Sequence, residues 1–132
     1  ALILIGGLSW HKEEAKGILP LARSIKARGG VLGIICDATH FAAREGLLND
    51  VRHTGNDPSE MAKAGGYTNP DGFIREEAVS DQNMITANGN SPVQFAALVL
   101  KALGGSSDEE ISQWVDFYSM GYWNALKKYG YI

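Results

Sequence analysis

Cys36 is the only cysteine among 132 residues, and it closes an apolar run, Val31-Leu32-Gly33-Ile34-Ile35. Residues 37–46, beginning Asp37-Ala38-Thr39-His40, read as a helix directly after it. A buried strand that feeds a helix through a sharp turn, with a reactive side chain at the corner, is a nucleophile elbow. The corner lifts the sulfur out of the sheet and aims the first amides of the helix at it. The chemistry expected there is attack by a thiolate on a carbonyl carbon, with backbone N–H groups holding the oxyanion.

The charges beside the sulfur oppose one another. A helix N-terminus favours an anion by about 0.3–2 kcal/mol. An ionised Asp37 about 6 Å away, at an effective dielectric near 20, opposes it by about 3 kcal/mol. On those magnitudes the carboxylate wins unless it turns away, is paired or holds a proton. Three histidines, His11, His40 and His53, are further candidates. His11 follows Gly6-Gly7 on the sheet edge that carries Cys36, and is either a pocket residue or a solvated helix residue. His40 lies four positions after the cysteine and either shares its face or packs beside Phe41. His53 is open between a site group and a structural one. Gly6-Gly7 is either a simple tight turn or an oxyanion site in which the Gly7 amide acts with that of Asp37 and a side chain at Gly7 would obstruct the approach. Trp10 either walls the pocket or packs on a helix. Cys-x-x-x-His without a second ligand pair is not a zinc pattern, so neither a metal nor a cofactor is expected.

These residues need a sheet to hold them. Ala1-Leu2-Ile3-Leu4-Ile5 and residues 31–35 are continuous apolar runs that suit strands covered on both faces. Residues 11–28 read as helical with a break at Pro20, and Gly29-Gly30 stops them. Strand, helix, strand, helix makes a right-handed parallel unit with its loops gathered on one edge. Asp57-Pro58-Ser59-Glu60 opens a short helix. Residues 73–79 and 84–87 flank the turn 80–83 as a hairpin. Ser91-Pro92-Val93-Gln94 reads as a capping box for a helix through Leu103. Ser107-Asp108-Glu109-Glu110 caps a last helix running to about Tyr129, with Ile111, Trp114, Val115, Tyr118, Tyr122 and Leu126 on its apolar face. That face is expected to be core, a lid or a homodimer contact.

In order and spacing, Gly6-Gly7 after a strand, Gly33-Ile34-Ile35-Cys36-Asp37-Ala38, residues 46–56, residues 83–89 and residues 91–103 resemble the PfpI/ThiJ family. The resemblance covers roughly residues 1–104. It implies a flavodoxin-like three-layer α/β sandwich with a mostly parallel sheet, the fold of class I glutamine amidotransferases. It also implies a single domain over residues 1–132, with 105–132 as a C-terminal helical extension and about two strands and a helix expected ahead of Ala1. That upstream segment would carry the acidic partner many members place beside the cysteine. Protease-like members have histidine directly after the cysteine, where this chain has Asp37. The family joins proteins assigned as intracellular proteases and amidases, glyoxalase-like enzymes, stress chaperones and redox sensors, so it fixes fold better than activity.

The bulk properties agree with that frame. A net charge of −3 and a pI near 5.5 give no electrostatic case for nucleic acid or an anionic membrane. No apolar run reaches the roughly 20 residues of a membrane span. A lone cysteine and the lack of a signal-peptide pattern suit a cytoplasmic protein. The expectation is a cysteine-dependent hydrolase or amidase acting on a small molecule or peptide. The alternative is a non-catalytic stress-response protein with Cys36 as an oxidisable thiol.

Overall fold

The apolar run ending at Cys36 forms strand β2 (Leu32–Ile35), every residue of which is buried. A computed structural model describes residues 1–132 and sets β2 between two parallel neighbours. Strand β1 (Leu2–Leu4) pairs Leu2 with Leu32 and Leu4 with Ile34. Two further strands follow later in the chain, β3 (Ala78–Asp81) and β4 (Met84–Ala87). Strand β4 pairs Leu32 with Met84 and Ile35 with Ala87. β3 closes the sheet antiparallel to β4, giving the order β1-β2-β4-β3.

Strand alternation divides the core between two faces. Leu4, Leu32, Ile34 and Met84 face a 17-residue cluster that includes Phe41, Ala42, Leu47, Leu48 and Met61. Helices α1 (Leu19–Ala27) and α2 (Asp37–Arg44) contribute to that layer, and α3 (Pro58–Ala62) adds Met61. Ile35, Ile85 and Ala87 face the other way, toward Phe95 of α4 (Pro92–Leu103). Gly33 permits that second packing, because a Cβ there would stand 2.9 Å from the Phe95 ring. The result is the flavodoxin-like three-layer α/β sandwich, with a mostly parallel sheet. Helices α5 (Asp108–Ser119) and α6 (Tyr122–Lys128) extend it beyond α4.

Four local expectations are corrected. Residues 11–28 are not one helix broken at Pro20: 3-10 turns occupy Leu8–His11 and Glu13–Ile18, and Pro20 lies in the first turn of α1. A proline is tolerated there because the first-turn amides have no intrahelical acceptor. The hairpin turn is Gln82-Asn83 alone, both at positive φ (51° and 61°), as a type I′ two-residue turn requires. Ser91 makes no cap bond, and its hydroxyl lies 2.5 Å from a Glu77 carboxylate oxygen instead. The last helix is two helices, because Gly121 at φ 87° cannot continue an α-helix. Of its expected apolar face Ile111 is buried, whereas Tyr118 and Tyr122 are exposed.

Candidate active site

Cys36 stands at φ 62°, ψ −136°, between the end of β2 and the first residue of α2. That conformation costs a non-glycine residue about 1–3 kcal/mol, so the surroundings must enforce it. The Cys36 amide donates to the Ala87 carbonyl at the end of β4 (3.0 Å). Its own carbonyl receives both the Thr39 amide (2.9 Å) and the Thr39 hydroxyl (2.7 Å). Sheet pairing on one side and the first turn of α2 on the other thus clamp the corner. The sulfur-bearing side chain is half-buried and leaves the sheet at its C-terminal edge.

Two glycines let other segments close on it. A Cβ at Gly6 would lie 2.5 Å from the Cys36 Cβ and 3.0 Å from Sγ, so the loop after β1 touches the elbow. A Cβ at Gly89 would lie 2.9 Å from Sγ, so the loop after β4 touches it too. Gly7, expected to be the obstructed position, has only Ser9 Oγ at 3.9 Å; its demand is conformational, at φ 151°. The close approach belongs to Gly6. The N–H groups of Gly7 and Asp37 donate to none of the turn, loop or cap carbonyls.

Asp37 is neither isolated nor free to face the sulfur alone. Its Oδ2 lies 3.5 Å from His11 Nε2, and its Oδ1 accepts from Asn56 Nδ2 at 3.2 Å. The same Asn56 nitrogen is 3.5 Å from Cys36 Sγ. His11 and His40 rings stand 5.8 Å apart. His11, Asp37, His40 and Asn56 line a cleft of about 210 Å³ with Thr39, Asp57, Glu60 and Met61, beside Cys36 in sequence but without Cys36 in its lining. Asp57 caps α3 through the Ser59 and Glu60 amides, and the Ser59 hydroxyl, with its amide, holds the carboxyl below its usual range. A larger groove of about 580 Å³, between β3, α4 and α5, includes Glu77, Ala78 and Leu98 but no nucleophile.

His53 is placed elsewhere. It is fully buried, with Nδ1 2.8 Å from the Val51 carbonyl and Nε2 2.7 Å from the Tyr67 hydroxyl. Desolvation lowers its proton affinity, and the Val51 carbonyl opposes this in part. Both nitrogens are thus engaged inside the core, which corrects the expectation of a site role. Trp10 is likewise structural: its indole donates to Ile5 O and its ring lies 5.0 Å from that of Phe41.

Asn56 and Gly89 were not singled out from the sequence. Both sit in stretches that read as loops, Gly55-Asn56-Asp57 and Asn88-Gly89-Asn90. The available signal is topological. Loops following parallel strands gather at one edge, and β4 ends beside β2.

Residues 1–102 match the model of the DJ-1/PfpI family. Over 129 residues the chain is 32% identical to the "Uncharacterized protease YdeA" of Bacillus subtilis, covering 98% of this chain and 65% of that protein. It is 34% identical over 114 residues to the "Uncharacterized protease YoaZ" of the same organism, covering 86% of this chain and 54% of the relative. The chain therefore spans less than two thirds of the length of either. Among solved structures it resembles a thiJ/pfpI family protein from Bacillus anthracis (TM-score 0.78, 28% identity, 89% of this chain and 57% of that one). It also resembles a DJ-1 superfamily protein from Agrobacterium tumefaciens (TM-score 0.79, 32% identity, 90% of this chain and 64% of that one).

Proposed function

This chain belongs to the DJ-1/PfpI family, and from that premise we propose a cysteine-dependent, hydrolase- or amidase-like activity centred on Cys36. The observation that carries the reading is the enforced φ 62° at Cys36, which is half-buried and directly precedes Asp37, a residue that lines a cleft. Strain at a cysteine held by hydrogen bonds on both sides is what a presented nucleophile requires and a packing residue does not.

In the reaction, the thiolate adds to a carbonyl carbon and the carbonyl electrons move to oxygen. The Gly7 and Asp37 amides are the candidate donors to that oxyanion. With an amide substrate, collapse expels the amine, which takes a proton from His11, and leaves a thioester. Water then adds to the thioester, His11 takes its proton, and departure of the sulfur restores the thiolate. With an aldehyde, addition gives a hemithioacetal. Asp37 occupies the position where protease-like members place histidine, so the proton carrier must come from another element, and His11 is in range of Asp37. The cleft of about 210 Å³ is below the usual span of small-molecule sites, which favours a small amide, a short peptide end or a small reactive carbonyl.

The test is turnover of a panel of p-nitrophenyl esters, amino-acid amides and 2-oxoaldehydes by the parent and by Cys36→Ser. Turnover lost in Cys36→Ser, with a cysteine-bound acyl group trapped by mass spectrometry, is the expected result. A fast-alkylating Cys36 with no turnover on any class would replace hydrolysis by thiol oxidation sensing.

A further inference from the structure

We propose that Asn56 is a catalytic residue of this site, its side-chain amide holding the Cys36 sulfur as an anion despite the neighbouring Asp37 carboxylate. The proposal rests on Cys36 being the nucleophile.

An amide side chain has one accepting end and one donating end, and here the backbone decides which is which. The Gly89 N–H donates to Asn56 Oδ1 at 2.8 Å. A flipped amide would set two donors against each other, so Nδ2 is fixed on the opposite side. That nitrogen carries two hydrogens and faces two acceptors, Cys36 Sγ at 3.5 Å and Asp37 Oδ1 at 3.2 Å. One group thus donates to both anions and lies in reach of each. A sulfur bearing negative charge is the stronger acceptor, so the bond favours thiolate over thiol.

The loop that carries Asn56 is held for this. The Thr54 amide donates to Thr86 Oγ1 on β4 (2.8 Å), and the Thr54 hydroxyl to Glu76 O (3.0 Å). A Cβ on Gly55 would stand 2.6 Å from Thr39 Oγ1, so this loop lies directly against α2. A Cβ on Gly89 would meet Sγ at 2.9 Å and Asn56 Oδ1 at 3.5 Å. Asn56 itself is exposed, and the α3 cap is Asp57, not its neighbour. Its side-chain hydrogen bonds run to Cys36, Asp37 and Gly89 and to no group outside the site.

The experiment is iodoacetamide alkylation of Cys36 as a function of pH in the parent, Asn56→Ala and Asn56→Asp, with Cys36→Ser as blank. Asn56→Asp keeps the shape and still accepts from Gly89 N–H, but it removes the donor and adds a charge. Near neutral pH, Asn56→Ala is expected to react roughly ten-fold more slowly, in line with a hydrogen bond to a charged group, and Asn56→Asp more slowly again. Both profiles should shift alkaline and rejoin the parent at high pH, where the sulfur is ionised in every protein. Rates within two-fold of a fast-reacting parent at every pH would remove Asn56 from the machinery and leave Cys36 in place. A uniform fall at all pH values would reduce Asn56 to a structural residue. A parent no more reactive than a cysteine peptide, and without turnover, would overturn the nucleophile reading itself.

Discussion

Replacing Asp37 by asparagine should make Cys36 more reactive. Asp37 and the sulfur share a donor at 3.2 and 3.5 Å, so a separation of about 6 Å is a fair working value. At an effective dielectric near 20, an ionised carboxylate at that distance disfavours the thiolate by about 3 kcal/mol. Two features reduce this. The Asp37 side chain is 29% exposed, so solvent screens it, and its charge is shared with the Asn56 amide and with His11 when that ring is protonated. Halving the figure leaves roughly 1.4 kcal/mol, a ten-fold gain in thiolate near neutral pH. The substitution also removes an acid from the first turn of α2, costing about 0.3–1 kcal/mol of stability. Alkylation rates of Asp37→Asn between about pH 6 and 9, on protein shown folded by circular dichroism, provide the measurement. An unchanged or slower rate throughout that range would refute the electrostatic account, because Asp37 would then not be opposing the anion.

Three further outcomes follow from other parts of the molecule. Burial holds His53 below its ordinary value of 6.5, so the unfolded chain takes up a proton there before the folded one. Stability from this residue is intact above about pH 6.5 and is lost as pH falls toward the depressed folded value; urea midpoints should drop on acidification, with a shallower slope in His53→Gln, and equal slopes would exclude the effect. Gly6→Ala places a Cβ 2.5 Å from that of Cys36, so it should destabilise the fold by about 1–3 kcal/mol and slow alkylation, both read on one preparation. Ser107→Ala breaks the reciprocal bonds with Glu110 that start α5 and should cost about 1 kcal/mol by thermal melting, without altering alkylation of Cys36.

What was legible in the sequence was what local pattern controls. The apolar run 31–35 and the helix signals after Cys36 identify the elbow, because a covered strand and a capped helix each announce themselves within a few residues. Asp57-Pro58 and Ser107-Asp108-Glu109-Glu110 announced helix starts for the same reason. Ser91 carried a similar cap pattern yet bonds Glu77 instead, since a strand residue's neighbour, distant in sequence, offered a charged acceptor. The hairpin began late because Phe73 makes a separate parallel bridge with His53. His53 itself was undecidable from spacing: only the fold brings the Val51 carbonyl and the Tyr67 hydroxyl to its two nitrogens.

The same reasoning explains why the site was half visible. Cys36, Asp37 and His40 lie within five residues of one another, whereas the groups placed around them arrive from distant segments. His11 follows β1, Asn56 lies between α2 and α3, and Gly89 follows β4. A carboxylate next to a nucleophilic sulfur is a conflict when read along the chain. In three dimensions one asparagine nitrogen faces both acceptors, its orientation set by a glycine amide that a side chain would displace. On the proposal made for Asn56, the acid at position 37 is accommodated by a donor shared with the sulfur, and the parallel pairing of β2 with β4 brings Gly89, which orients that donor, to the same sheet edge.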